Sequence, residues 1–378
     1  MPTFDLVVVG AGGGPSETNL SAYLLKPHTA PWRDGIVALE AGSGIGKLTD
    51  IMKDKPALFL CHDDGCDDPD ECPRLTPREI YSLIQCFLIT HAHLDHVLSL
   101  VLSAGSLQGP RRRIHGSKRT IKNLESAFNS KIWPNLASWD PNDDAYKLLY
   151  DPLTHDKSYR NIFRDVSVRM MPLNHGQAQS GPYESSAFFL RHDPTGQEFL
   201  FFGDVEPDSI SAAPQSIAVW RAAAPSVPDK LSAVFIECSW PSGRDDDSLF
   251  GHLTPEHLVD ELAALAAEVV LAHARGGTTA KRVNQNILDK HIRKKRRPNS
   301  VAPDALVGAL KGLRVYIIHC KDATAEFEKQ HGKRAVHLVI ADQVRELVET
   351  RGLGAEILSA EQGTRISESR LFKCSESP

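Results

Sequence analysis

Short apolar runs recur along the chain, and most stop at a polar residue able to ligate a metal or move a proton. Leu6 to Val9 is β-branched and ends in Gly10, Gly12, Gly13, Gly14 and Pro15, which reads as a buried strand followed by a tight turn. Gly35 to Leu39 is a strand before a glycine-rich turn, and Gln85 to Thr90 runs into His91. Val166 to Leu173 runs into Asn174 and His175, and Glu198 to Phe202 into Gly203 and Asp204. Further on, Ser232 to Ile236 stops at Glu237, Val269 to Ala272 at His273, and Arg314 to Ile318 at His319. Between them Leu258, Leu262 and Leu265 repeat at helical spacing, so Pro255 to Glu268 is predicted to be a helix. Strands mixed with helices over the whole length predict an α/β layered architecture. No repeat of 20 to 50 residues is present and no long low-complexity linker divides the chain. One domain over 1–378 is expected, with loop insertions at about 60–78 and 280–304.

Composition narrows the functional classes. With 41% hydrophobic and 24% charged residues the chain is globular, and its formal net charge of −5 gives no global field for holding nucleic acid. Its longest apolar stretches fall far short of the roughly 20 residues that span a bilayer. The start, Met1 to Asp5, lacks the basic lead and apolar core of a secretory signal, so the expected location is cytoplasmic. Seven cysteines without regular spacing do not make a disulfide framework. Cys61, Cys66 and Cys72 sit with His62 in an acidic loop, but their spacing is looser than a zinc knuckle, and an exposed insertion is the simpler reading. The basic runs Arg111 to Arg113 and Arg293 to Arg297 read as solvated segments.

Two glycine-rich segments fail as nucleotide motifs. The turn from Gly10 has Pro15 where a dinucleotide fingerprint needs glycine. Gly42 to Leu48 lacks the first P-loop glycine, where Ala41 stands, and has Leu48 in place of the magnesium-binding hydroxyl.

The strongest signal is Thr90-His91-Ala92-His93-Leu94-Asp95-His96. Imidazoles packed beside a carboxylate lose rotamer freedom and hydration, and a bound divalent cation compensates both. Ala92 excludes the helical H-E-x-x-H site. His91 and His93 alternate to one side of an extended segment, while Asp95 and His96 can reach a second position once the chain turns. Two metals are implied.

His91-x-His93-x-Asp95-His96 resembles the signature of the metallo-β-lactamase fold superfamily. Gly12 to Asn19, the apolar Val97 to Leu102 after the histidine cluster, and Phe250-Gly251-His252-Leu253-Thr254-Pro255 are similar to stretches of its class II cyclic nucleotide phosphodiesterases. One departure is Glu40, where relatives tend to carry aspartate. The resemblance implies a four-layered αββα sandwich of two mixed β-sheets with helices on the outer faces. It implies one metal on His91, His93 and His175, a second on Asp95, His96 and His319, and Asp204 bridging them. His273 is the rival for the last position; His319 is preferred because its β-branched strand stands where the family places that ligand. The cofactors would be two divalent ions, zinc before manganese or iron.

The activity implied is hydrolysis of 3′,5′-cyclic nucleotides, cAMP in preference and cGMP as a further substrate, by a metal-bridging hydroxide, with a role in cAMP signalling. Asp95 would also orient that hydroxide. His252 is the candidate acid at the leaving 3′ oxygen, and Glu237 is expected to fix its tautomer and raise its pKa. Trp240 is a candidate for the base pocket. A homodimer is a further expectation; membrane and nucleic-acid partners are not. Two alternatives are a tRNA 3′-processing nuclease, which needs a basic face, and a non-catalytic nucleotide-binding module of the same fold.

Overall fold

The structure is a computed structural model, and it describes residues 2–60, 74–106, 108–156, 158–179, 181–276 and 302–369. The cysteine loop 61–72 and the basic run 293–297 lie outside the described residues, as do most of the two expected insertions.

Two mixed sheets form the centre. The first is built from β1 (Pro2–Gly13), β2 (Leu20–Pro27), β3 (Ile36–Leu39), β4 (Ile84–Leu88), β5 (Arg112–His115), β6 (Ala137–Ser138) and β7 (Leu148–Tyr150). The second contains β8 (Arg160–Phe163), β9 (Val166–Ala178), β10 (Gly181–His192), β11 (Gln197–Phe202), β12 (Leu231–Glu237), β13 (Arg314–Ile318) and β14 (Glu356–Ser359), and β15 (Arg365–Ser369) returns to the first. Their orders are β15-β1-β2-β3-β4-β5-β7-β6 and β14-β13-β12-β11-β10-β9-β8. In each, one half is antiparallel and the other parallel.

Strand alternation explains the layering. Phe199 and Phe201 point into the core between the sheets, with Leu6, Val8, Tyr23 and Phe188. Leu200 and Phe202 point the other way, into a core completed by α5 (Ser216–Ala223), α6 (Pro255–Gly276) and the helix Val336–Thr350. Val7, Val9 and Phe87 meet α1 (Ile45–Asp54), α2 (Pro77–Ser82), α3 (Leu94–Ser103) and α4 (Lys118–Glu125) on the far face of the first sheet. A strand buried on both faces stabilises two layers at once, each large apolar side chain contributing roughly 1.5–3 kcal/mol. The result is the expected αββα sandwich. At one edge Asp5 is fully buried among Lys26 (2.7 Å), Arg365 (2.6 Å) and Ser367 (2.8 Å), tying β1 to both of its neighbours.

Two sequence expectations need correction. Val269 to Ala272 is not a strand but the end of α6, whose buried Leu258, Leu262, Leu265 and Val269 continue one helical stripe. His273 is therefore exposed on that helix, its Nε2 3.2 Å from the Val227 carbonyl, and lies in none of the candidate metal clusters among the described residues. The strand leading to His175 also does not stop before it: β9 continues to Ala178, paired with β10. No helix among the described residues is long and apolar enough to cross a membrane.

Candidate active site

Ligand-bearing residues gather where parallel strands of both sheets end, the place where open α/β sheets present loops to a ligand. His91 follows β4, Asp204 follows β11, Glu237 closes β12 and His319 follows β13. His93 caps α3, which carries Asp95 in its first turn and His96 behind it. The predicted chain turn is thus a helix start, where the N-terminal dipole favours the Asp95 carboxylate.

Three clusters, the first two sharing His175 and Asp204, bring ligand atoms within 4.8 Å of one another: His91, His93, His175 and Asp204; His175, Asp204, Glu237 and His252; and Asp95, His96 and His319. His91 Nε2 lies 3.0 Å from His93 Nδ1, and His96 Nε2 lies 3.1 Å from His319 Nε2. Asp204 stands between the groups. Its Oδ2 is 3.6 Å from His91, 3.7 Å from His175 and 3.3 Å from His319, while Oδ1 is 3.4 Å from His96. Asp95 Oδ2 approaches His319 Nε2 at 3.2 Å.

The outward ring atoms are tethered, which sets the tautomers. His91 Nδ1 pairs with Thr90 Oγ1 (3.0 Å), and His319 Nδ1 with Ser239 Oγ (3.1 Å). His175 Nδ1 donates to the Gly251 carbonyl at 2.8 Å, and Glu40 stands 3.5 Å from His96 Nδ1. Such outer partners fix ring orientation and ligand basicity in metal sites. Tyr183 stacks on His93 with ring centres 4.5 Å apart and planes 20° from parallel.

Burial pushes His91, His93, His175 and His319 below the usual imidazole range, the form that ligates. His96 is buried too, but Asp204 and Glu40 outweigh that and hold it above the range. Burial would raise Asp95 and Asp204, yet the surrounding histidines hold both below the carboxylate range. Nitrogen lone pairs and two carboxylates converging in a buried space fit two divalent cations. An N/O set without thiolate suits zinc, manganese or iron.

His252 sits beside the first group, its Nδ1 2.9 Å from Glu237 Oε1 and 3.9 Å from Asp204 Oδ2. Glu237 also accepts from Val205 N (2.9 Å) and Ser239 Oγ (2.6 Å). The pairing matches the sequence expectation, but its pKa direction is reversed. Burial pushes His252 down to about 4, and burial with the Asp204 charge pushes Glu237 up.

Sequence reasoning missed four supports. Glu40 had been noted only as a departure from relatives; it is buried at φ 58°, accepting from Thr90 N at 3.2 Å. Thr90 opens the histidine segment but was given no role there, and Ser239, two residues past Glu237, and Tyr183 carry no motif. Gly13 has a steric reason: a Cβ there would stand 2.5 Å from His319 Cε1. Arg111 to Arg113 do not form a basic face. Arg112 is buried against backbone carbonyls, Arg111 donates to the carbonyls of Leu148 and Asp140, and Arg113 pairs with Asp151 at 3.0 Å.

The fold is shared with unliganded yeast PDE1 (TM-score 0.74, 23% identity, 97% of this chain and 99% of that one). It is also similar to the metallo-β-lactamase fold protein YhfI from Bacillus subtilis (TM-score 0.51, 12% identity, covering 97% and 99%). A 3′,5′-cyclic-nucleotide phosphodiesterase of Schizosaccharomyces pombe is 32% identical over 286 residues, 71% of this chain and 76% of the relative. One from Aliivibrio fischeri is 32% identical over 266 residues, 70% and 76%. Residues 70–363 match the family model described as cAMP phosphodiesterases class-II, and with these relatives the match establishes that the chain belongs to this family of 3′,5′-cyclic-nucleotide phosphodiesterases.

Proposed function

We propose that the chain is a metal-dependent enzyme that hydrolyses 3′,5′-cyclic nucleotides, cAMP in preference, to nucleoside 5′-monophosphates and so ends cAMP signals. The observation that carries this reading is Asp204, whose carboxylate lies between two histidine groups, Oδ2 facing His91, His175 and His319 and Oδ1 facing His96. His91, His93, His175 and Asp204 would hold one divalent ion, and Asp95, His96, His319 and Asp204 the other, with zinc as the first candidate. Ions held there supply a water of lowered pKa and neutralise charge on the phosphoryl oxygens.

The chain's own residues do the rest. The protein walls place the cyclic phosphate so that water attacks phosphorus in line with the 3′ oxygen. His252, on the Glu237 tether, delivers a proton to that oxygen as the ester bond breaks. The negative charge of a bound phosphodiester opposes the burial that otherwise holds His252 down. Lys321, whose Nζ is 3.8 Å from Asp95 Oδ2 and donates to the Gly13 carbonyl at 2.6 Å, adds a fixed positive charge at the rim. Asp95 orients the attacking water. The unpaired buried thiols Cys86, Cys238 and Cys320 suit a reducing, cytoplasmic setting.

The test is hydrolysis of cAMP and cGMP by purified protein before chelation, after chelation and after zinc or manganese is restored, with the product identified. Metal-dependent 5′-AMP supports the reading; absence of turnover in metal-loaded protein refutes it.

A further inference from the structure

Beside the second histidine group opens a cleft of about 180 Å³, open to solvent on one side. Its walls include Ser239, Trp240, Arg244, Lys321, Phe327 and Gln330. The cleft is joined to the site at two points. Ser239 is the hydroxyl that tethers His319, and Lys321 approaches Asp95.

Trp240 and Arg244, which line the cleft, are stacked on one another with Phe250 beside them. The Arg244 guanidinium carbon lies 3.7 Å from the centre of the Trp240 ring and 5.8 Å from that of Phe250. Arg244 donates from Nε to the Ser248 carbonyl at 2.6 Å, yet makes no ion pair among the described residues although Asp245, Asp246 and Asp247 follow it directly. A stacked arginine normally stabilises a fold through carboxylate or carbonyl partners on several nitrogens; here most of the fork is uncommitted. Phe250 is 72% exposed and held at φ 54°, a conformation disfavoured for a bulky residue. Strain of that kind persists where the surroundings over-determine it, and its neighbour Gly251 supplies the carbonyl that holds His175. Trp240 is fixed by its Nε1 donating to the Leu249 carbonyl at 3.1 Å.

We propose that Phe250, Arg244 and Trp240 form a stacking platform for the purine base of the cyclic nucleotide, with the adjoining cleft receiving the base while its phosphate occupies the metal site. The proposal rests on the phosphodiesterase reading. The platform is anchored at one end next to the His175 tether and at the other next to the His319 tether, so it keeps a fixed position relative to both halves of the reacting centre. A guanidinium plane backed by indole presents a flat cationic face, suited to the π face of any base. Gln330, which also lines the cleft, offers an amide donor and acceptor to the base edge. Lys321 rather than Arg244 stands beside the ligand groups, which leaves Arg244 for the base and not for the phosphate.

The test is calorimetric titration of the metal-loaded full chain with 5′-AMP and with ribose 5-phosphate, which shares the sugar and phosphate but lacks the base. Wild-type protein is expected to bind 5′-AMP about 10-fold or more tightly than ribose 5-phosphate. That advantage should fall severalfold in Arg244→Ala and Phe250→Ala, stay low in Arg244→Lys, and be largely kept in Trp240→Phe. The half-buried Arg244 and exposed Phe250 keep the test available if Trp240→Ala does not fold. An advantage that survives both alanine substitutions, an absent advantage in wild type, or equal weakening of both ligands overturns the platform. Base-dependent binding without cAMP turnover would overturn the phosphodiesterase reading and leave the platform standing.

Discussion

Replacing Gly13 by alanine adds one methyl group and tests how tightly the second metal position is built. The new Cβ would lie 2.5 Å from His319 Cε1, 2.6 Å from Nδ1 and 2.9 Å from Nε2. Ordinary contact begins near 3.4 Å, so the ring must retreat by about 0.9 Å. It has little room to do so. Ser239 holds Nδ1, the backbone N–H of His319 donates to Ala11 at 2.6 Å, and the residue already sits at φ 59°. Gly13 itself does not have a positive φ, so alanine brings no backbone penalty of that kind and the effect is steric. Displacement of a ligand ring on this scale should weaken the second metal ~10–100-fold and reduce kcat/KM on the order of 10²-fold. The assay is zinc titration into metal-free protein with parallel cAMP kinetics, and Gly46→Ala serves as control because nothing lies within 4 Å of its added Cβ. Two metals bound at wild-type affinity, with kcat/KM within about twofold, would refute the reasoning.

Other substitutions separate the roles of the site. Asp204→Ala removes a carboxylate shared by both groups and should abolish binding of at least one metal together with turnover. His252→Ala should keep both metals and slow turnover by ~10²–10⁴-fold, the usual scale for a lost proton donor; undiminished turnover removes it from the mechanism. Glu40→Ala leaves the buried Nδ1 of His96 without its carboxylate and should weaken the second metal ~10–100-fold, read by competition with a chelating dye. Asp5 is held below the carboxylate range: burial would raise it, but hydrogen bonds from Arg365, Lys26 and His28 prevail. A depressed folded-state pKa gives stability that is present above the unfolded value near 3.8 and lost as pH falls through the folded value. Asp5→Asn should therefore cost about 3–5 kcal/mol in urea unfolding at neutral pH, by stranding buried Lys26, and flatten the acid limb. A loss below about 1 kcal/mol contradicts this account of the edge.

The strand ends were legible because burial on both faces writes continuous apolar runs, and a ligand after such a run stands out. The predicted bounds of β13, Arg314 to Ile318, are those observed. Val269 to Ala272 misled for the same reason: four apolar residues fit a buried strand or a helix end equally well, and only the stripe begun at Leu258 distinguishes them. Of the seven proposed ligands, His91, Asp204 and His319 follow strands, whereas His93, Asp95 and His96 open α3 and His175 lies within β9, and the fold gathers them. Their supports were not legible. Glu40 reaches His96 only because β3 and β4 run parallel, and Tyr183 meets His93 from the start of β10, which no motif marks. Arg244 over Trp240 is a contact between two turns of one irregular loop, which periodicity does not encode.

The central claim is that two metals, held on either side of Asp204, are jointly required for phosphodiester hydrolysis. The most direct measurement is 5′-AMP formation followed as zinc is titrated into metal-free protein, with bound metal determined on the same samples. The account predicts that turnover develops with the second equivalent, and that Asp204→Ala shows none at any loading. Full turnover without bound metal, or two equivalents bound with no 5′-AMP formed, would contradict it.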